Sequence, residues 1–200
     1  FFNRLWKIQI FTSTKANYKN MIYPIVAYGH PVLKKKAAPI TADYENLKQL
    51  IDDMFETMYY SEGVGLAAPQ INKSIRLFVI DADPFKEKYP EGAGFKRVFI
   101  NAEILEEDGD SWFFNEGCLS VPGIHEDVAR KSRIHIKYYD ADFVEHDEWL
   151  EGICARVVQH EYDHLEGKVF TDRLSSISKM LIKRKLNDIL SGRVEHSYKM

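Results

Sequence analysis

Residues 159–167, QHEYDHLEG, place His160 and His164 four positions apart, with Glu161 directly after the first histidine. In an α-helix, side chains at positions i and i+4 lie on the same face, so both imidazoles can bind one metal ion. Glu161 projects about 100° away, where it can act as a base without being a ligand. Isolated histidines are usually surface residues, but the apolar ICARVV just upstream indicates a helix that runs through the core, where two unpaired imidazoles would be costly. The pattern therefore predicts a metal site.

The third metal ligand separates the classes of protein that use this motif. A metzincin needs a histidine where Phe170 stands, and a gluzincin needs a downstream glutamate, for which only Glu195 in the polar tail is available. Cys118, within NEGCLSVPG, is the better candidate, because a thiolate binds divalent metals well and Gly117 permits close backbone approach. The alternative for Cys118 is a buried structural thiol.

Three helices follow from apolar residues that recur at intervals of three and four. The first spans residues 43–60, with Asp43 as its N-cap. The second spans residues 150–165 and contains both histidines. The third runs from residue 175 or 176 to residue 190, and Gly192 terminates it.

Stretches rich in branched and aromatic residues predict the strands. Residues 76–82 and 97–105 form an antiparallel pair, and residues 133–140 alternate apolar and polar side chains as a strand with one buried face does. Residues 143–149 return beside that strand, and residues 168–172 (KVFTD) form a short one. These elements predict an α+β fold with mixed or antiparallel β-sheets packed around a central HExxH helix, between an N-terminal amphipathic helix and a C-terminal helix.

The composition limits the class of protein. Two hundred residues with 45% apolar content suffice for one domain with its own core, so a bound metal should serve chemistry. A formal net charge of -3 argues against direct nucleic-acid binding, and no run of about 18 apolar residues exists that could span a membrane. The two cysteines form no CxxC pair, which favours a reducing compartment such as the cytoplasm, and Cys154 is expected to pack in the core.

The first twenty residues differ from the rest, because Asp43 is the first acidic residue of the chain. We interpret residues 1–20 as an upstream or cloning-derived extension, with Met21 as the natural start and residues 21–200 as a single catalytic domain. The alternative is an organellar targeting segment, since such segments are basic and poor in acids.

Three separated stretches, GVGLAAPQ (63–70), EGCLS (116–120) and QHEYDHLEG (159–167), together resemble the signature motifs of bacterial-type peptide deformylases. The resemblance implies a metal-dependent hydrolase that removes the N-formyl group from the formyl-methionine of newly synthesised proteins and releases formate. It also implies one divalent metal ion, ferrous iron in the cell and zinc or nickel in purified protein. The implied partners are formylmethionyl peptides and nascent chains, with a transient ribosome contact.

The resemblance also implies roles for individual residues. The metal ligands are Cys118, His160 and His164. Glu161 is the general base and acid, and the Gln70 amide and the Leu119 backbone NH stabilise the developing oxyanion. Gly65 belongs to the substrate-facing loop. The side chains expected to line a methionine-sized pocket are Val64, Ile153 and Val157, the last two because they share the helical face of His160.

One position departs from the family pattern. His125 stands where many bacterial members have an arginine, so we expect Arg130 or Arg133 as substitutes in binding the peptide backbone. Arg156 falls near the pocket by the same analogy.

Two rival hypotheses remain at the level of sequence. A metallopeptidase would use the same helix on an internal peptide bond, but the downstream ligand is missing. A closed structural site would add a fourth ligand such as His125, but such a site has no need of Glu161.

Overall fold

The computed structural model describes residues 21–200, so the interpretation of residues 1–20 lies outside the described part of the chain. Five strands form one sheet in which each strand pairs antiparallel with the next along the chain. The strands are β1 (Gly65–Ala67), β2 (Leu77–Asp81), β3 (Lys96–Cys118), β4 (Val121–Tyr139) and β5 (Glu145–Glu151). The helices are α1 (Leu47–Tyr60), α2 (Gly152–Leu165) and α3 (Ser176–Leu190). The predicted α+β class is confirmed.

The central helix α2 packs on the sheet and forms the main core with it. Its residues Ile153, Ala155 and Val158 are fully buried in one apolar cluster with side chains of β2, β3 and β4. The cluster also contains Cys154, as predicted. The Ile153 NH donates to the Glu91 carboxylate (3.0 Å), so an acidic side chain from a distant turn caps the helix N-terminus.

The strand pair β3–β4 is much longer than the sequence indicated. Strand β3 continues past residue 105 to Cys118, and β4 begins at Val121 instead of near residue 133. The added stretches are largely polar and partly exposed, with register shifts around Asp108 and Ser111, and hydrogen bonds across the pair maintain them. Local propensity cannot show such pairing. As a result Leu119 and Ser120 form a two-residue turn beside Cys118.

The predicted face of residues 133–140 is confirmed. Ile134, Ile136 and Tyr138 are buried, while the residues between them are half-buried. The predicted return strand is confirmed as β5, which extends through Glu151, so the first two residues of the predicted helix 150–165 belong to the sheet.

Two further sequence predictions were wrong. Helix α1 begins at Leu47 after Asn46, which has a left-handed backbone, because Asp43 accepts a hydrogen bond from Thr41 in a preceding turn and does not cap the helix. Residues 168–172 are not a strand: Phe170–Arg173 form a 3-10 turn, which the Asp172 carboxylate closes by accepting the Val169 NH (2.9 Å).

Helix α3 has the predicted bounds, and the Ser175 hydroxyl accepts the Ser178 NH as its N-cap. Ile182 and Ile189 are its buried residues, whereas other apolar side chains of the helix, such as Leu181, are exposed. Across residues 21–200, none of the helices combines the length and apolar character that crossing a bilayer requires.

Candidate metal centre

Three potential metal ligands meet where the end of β3 reaches α2. Donor atoms of Cys118, His160 and His164 all lie within 4.8 Å of one another, and the Cys118 Sγ is 3.3 Å from His164 Nε2. The two histidines come from adjacent turns of α2, and the cysteine comes from the residue just before the β3–β4 turn. His125 does not belong to this group of donors within residues 21–200.

The donor set fits a divalent transition metal. A thiolate with two imidazoles is a known ligand combination for a catalytic metal, and it leaves a coordination position for water or substrate. Burial opposes ionisation of the Cys118 thiol, but the neighbouring His164 and His160 outweigh that effect and lower its pKa to about 5. The sulfur is therefore ready to bind as the thiolate at neutral pH.

A buried carboxylate fixes the first histidine. The Glu116 Oε2 lies 2.8 Å from His160 Nδ1, which leaves the other ring nitrogen free for a metal. Glu116 also accepts two hydrogen bonds from Arg130 (2.7 and 2.9 Å) and one from Arg156 (2.9 Å). Burial would raise the pKa of Glu116, but Arg130 and His160 hold it well below its usual range.

Sequence reasoning assigned no role to Glu116. A usable signal was present: it stands two residues before Cys118 in an extended segment, so both side chains point to the same face.

Glu161 is buried at the floor of the site. Burial raises its pKa to about 7 against the opposing influence of His160 and His164, and its Oε2 has no hydrogen-bond partner within the described residues. Gly65 lies directly against this carboxylate, and a Cβ at that position would collide with it. The glycine therefore lets Glu161 approach β1.

Gln70 aims its amide group at the ligands. Its Oε1 accepts the Ala67 NH (2.8 Å), which orients the side chain. The Nε2 then lies 3.5 Å from Cys118 Sγ and 3.4 Å from the Ser120 hydroxyl. The amide NH2 group and the Leu119 turn thus border the same small volume.

A cavity of about 590 Å³ opens onto these groups. Val64 and Val157 line it, but Ile153 does not, because that side chain is fully buried in the core and packs close to Gly92. Ile153 lies on the predicted face of α2, seven residues before His160, but it is one turn farther from His160 than Val157 is.

The prediction that Arg130 or Arg133 binds the peptide backbone was wrong. Arg130 is buried in the ion pairs to Glu116 and Asp163, and Arg133 pairs with Glu151 on the sheet surface. Neither lines the cavity. Arg156 borders it, but its guanidinium group bonds to Glu116 and to backbone carbonyls.

The polar tail after α3 was not expected at the site. Residues 195–198 line the cavity, and so does His125, which lies against Gly117. No pattern in the tail sequence indicates this placement, because it depends on how the chain returns after α3.

The chain is similar to known proteins over most of its length. The profile of the polypeptide deformylase family matches residues 22–180. A peptide deformylase of Flavobacterium johnsoniae is 52% identical over 187 residues, which cover 90% of this chain and 95% of that protein. A peptide deformylase of Cytophaga hutchinsonii is 50% identical over 180 residues, covering 90% of this chain and 97% of the relative.

Solved structures show the same fold. A crystal structure of a peptide deformylase from Legionella pneumophila superposes with a TM-score of 0.74 at 39% identity, covering 88% of this chain and 100% of that one. A crystal structure of the Plasmodium falciparum peptide deformylase superposes with a TM-score of 0.76 at 39% identity, covering 84% of this chain and 95% of that one. With three predicted ligands assembled at one point and a family match over most of its length, the chain belongs to the peptide deformylase family of metal-dependent hydrolases.

Proposed function

We propose that this protein hydrolyses the formamide bond of N-formylmethionyl peptides at a metal ion bound by Cys118, His160 and His164. The observation that supports the assignment is the meeting of these three donors beside the buried Glu161, at the floor of a cavity of about 590 Å³. The membership in the deformylase family gives the reaction class.

In the cell the metal is ferrous iron, and zinc or nickel can occupy the same ligands in purified protein. The support is the donor set, since one thiolate and two imidazoles suit all three ions. When bound, a divalent ion acts as a Lewis acid that polarises the formyl carbonyl and lowers the pKa of the attacking water.

Glu161 accepts a proton from the attacking water and passes it to the departing amine. A carboxyl group is suited to both steps when its pKa is not far from the working pH, and burial raises the pKa of Glu161 in that direction. Glu116, by contrast, stays ionised and holds His160 in place through Nδ1. The two carboxylates thus have separate tasks.

Negative charge collects on the formyl oxygen as water adds to the carbon. Donors fixed in place before the reaction stabilise that charge more than mobile water does. The Gln70 amide, oriented by the Ala67 NH, is one such donor, and the backbone NH of Leu119 is the other. Val64 and Val157 provide apolar wall for the methionine side chain.

The enzyme works on nascent chains in the cytoplasm, with a transient contact to the ribosome. The support is chemical: the substrate is the first residue of a newly made protein, and it becomes accessible as the chain emerges.

The assay is formate release from formyl-Met-Ala, with acetyl-Met-Ala and unblocked Met-Ala as controls. We expect activity on the formyl peptide alone, because a formyl group is small and suits a tight site at the ligands, where Glu161, Gln70 and Leu119 line the cavity. Cleavage of an internal peptide bond would instead support the metallopeptidase hypothesis.

The Glu161→Ala variant tests the assignment of the base. It should keep about one metal per chain and lose turnover by a factor of about 10² to 10⁴, because the ligands remain and proton transfer is removed. Metal content by elemental analysis and kcat are the two measurements. Turnover that survives with the metal in place would show that another group is the base.

A further inference from the structure

The segment after α3, residues 193–200, returns to the catalytic cavity and is held by contacts near both of its ends. Val194 packs against the apolar cluster that contains Ile189, and the Tyr198 ring packs against the cluster that contains Met54 and Met58 of α1. The Ile25 NH donates to the Lys199 carbonyl (2.8 Å). Between these anchors, residues 195–198 line the cavity wall.

The Tyr198 hydroxyl makes one directed contact with the proposed catalytic groups. It donates a hydrogen bond of 2.6 Å to the carbonyl oxygen of Leu119. The two residues are 79 positions apart in the chain. The ordinary pKa of a phenol is about 10, so the hydroxyl keeps its proton at neutral pH and remains a donor.

The Leu119–Ser120 turn depends on bonds from outside the β3–β4 hairpin. The Ser120 carbonyl accepts the Tyr28 NH (2.7 Å), and the Ser120 hydroxyl accepts a longer bond from the Gln70 amide (3.4 Å). The Tyr198 hydroxyl adds a side-chain bond to the Leu119 carbonyl. This bond restricts rotation of the Leu119–Ser120 peptide group about the ψ torsion of Leu119.

We propose that Tyr198 is a positioning residue for deformylation: its hydroxyl holds the Leu119 carbonyl, restricts the backbone torsion ψ of Leu119, and so keeps in place the residue whose NH binds the developing oxyanion. The inference rests on the proposed function, in which Leu119 supplies that NH. Catalytic donors act only when they are held close to the productive geometry, and displacement by about 1 Å is enough to reduce the rate strongly. The same segment forms one wall of the substrate cavity.

The Tyr198→Phe variant removes the hydroxyl and keeps the ring packing. We expect kcat on formyl-Met-Ala to fall about tenfold, the equivalent of one hydrogen bond of about 1.4 kcal/mol, while KM and metal content stay unchanged. The matched control is Tyr139→Phe, which removes a hydroxyl bonded to Glu145 on the exposed end of the sheet and should leave both constants unchanged. An unchanged kcat in Tyr198→Phe, or a rise in KM alone, would overturn the proposal.

Deletion of residues 193–200 provides a second, independent variant. It should reproduce the loss of kcat seen in Tyr198→Phe and also raise KM for the longer peptide formyl-Met-Ala-Ser, because one wall of the cavity is removed. A deletion variant that keeps the wild-type kcat would exclude a positioning role. Wild-type protein that releases no formate would refute the proposed function itself, whereas an active wild type with unaffected variants would refute only the role of Tyr198.

Discussion

Glu116 and Glu161 are both buried beside the metal ligands, yet their surroundings shift the pKa values of the two carboxyl groups in opposite directions. Glu116 accepts hydrogen bonds from Arg130 and Arg156, and Arg130 and His160 hold its pKa below the usual range. Within residues 21–200 the Oε2 of Glu161 has no hydrogen-bond partner, and burial raises the pKa of Glu161 to about 7. A cation bound by the neighbouring ligands would lower the pKa of Glu161. Separate environments for neighbouring acids are a general means of dividing catalytic roles.

Gln70 gives a test of oxyanion stabilisation. The Gln70→Ala variant should lose about 10² to 10³ in kcat, because a donor fixed by the Ala67 NH is removed, with little change in metal content. Steady-state kinetics on formyl-Met-Ala provide the measurement. Gln49→Ala, which removes an amide bonded to Asp53 on α1, is the matched control. Equal kcat values for the two variants would contradict the role of Gln70.

The thiolate ligand predicts sensitivity to oxygen. Cys118 has a lowered pKa, and thiolates are the form of cysteine that is oxidised. We expect the iron-loaded enzyme to lose activity in air faster than the nickel-loaded enzyme, and mass spectrometry to find added oxygen on Cys118 in the iron form. The two forms, prepared anaerobically and exposed side by side, should therefore differ in half-life, and equal half-lives would count against the prediction.

At the scale of elements, a buried ion-pair network joins α2 to the long hairpin. Arg130 of β4 donates to both Glu116 of β3 and Asp163 of α2, and Arg173 of the following 3-10 turn also donates to Asp163. The network lies directly behind the two histidines. It fixes the end of β3 relative to α2, and that relative position determines whether the cysteine reaches the histidines.

Asp163 gives the acid-stability prediction for this network. Burial would raise its pKa, but Arg173 and Arg130 outweigh that effect and lower it below the ordinary 3.8. A carboxyl group with a lowered folded-state pKa stabilises the protein above its unfolded pKa, and that contribution is lost as pH falls through the folded value. The Asp163→Asn variant should therefore lower the free energy of unfolding by about 3 to 5 kcal/mol at pH 7, and by less below about pH 4.

Urea unfolding at pH 7 and at pH 3.5 or lower measures both parts of this prediction. Asp147→Asn is the control, because Asp147 is about half exposed in its pair with His135 and should change stability little at pH 7. If Asp163→Asn were as stable as the control at pH 7, the network would not hold α2 against the hairpin.

At the scale of the whole molecule, three apolar clusters form the core of the described residues 21–200, and the Met21 NH bonds to the Asp53 carboxylate (2.9 Å) on α1. The family match covers residues 22–180. We therefore predict that residues 21–200 fold and work as one catalytic domain.

A protein that begins at Met21 tests this division of the chain. It should have the kcat/KM of the full chain on formyl-Met-Ala and a closely similar thermal midpoint, because the family match begins at residue 22 and the proposed ligands and Glu161 all lie within it. Size-exclusion chromatography should give a monodisperse peak for both proteins. An inactive or aggregated shorter protein would assign residues 1–20 to the catalytic domain.

Prediction from the sequence succeeded where short-range patterns decide the outcome. The i, i+4 histidines, the alternation around Ile136 and the bounds of the third helix all depend on neighbours within one or two turns or strands, which the sequence displays directly. Prediction failed at Asp43 and at residues 168–172, where a local side-chain hydrogen bond closed a turn in preference to a helix start or a strand.

The sequence by itself determined the chemistry available to this protein. It places two histidines on one helical face with a glutamate between them, and it supplies a cysteine in another segment as a third metal ligand. Only the tertiary structure decided that β3 and β4 are long enough to bring Cys118 to that face, that Glu116 fixes His160, and that Tyr198 returns to the cavity. The reason is physical. Pairing between strands and the return of a distant segment depend on hydrogen bonds and burial between residues far apart in the chain, and those exist only once the chain has folded.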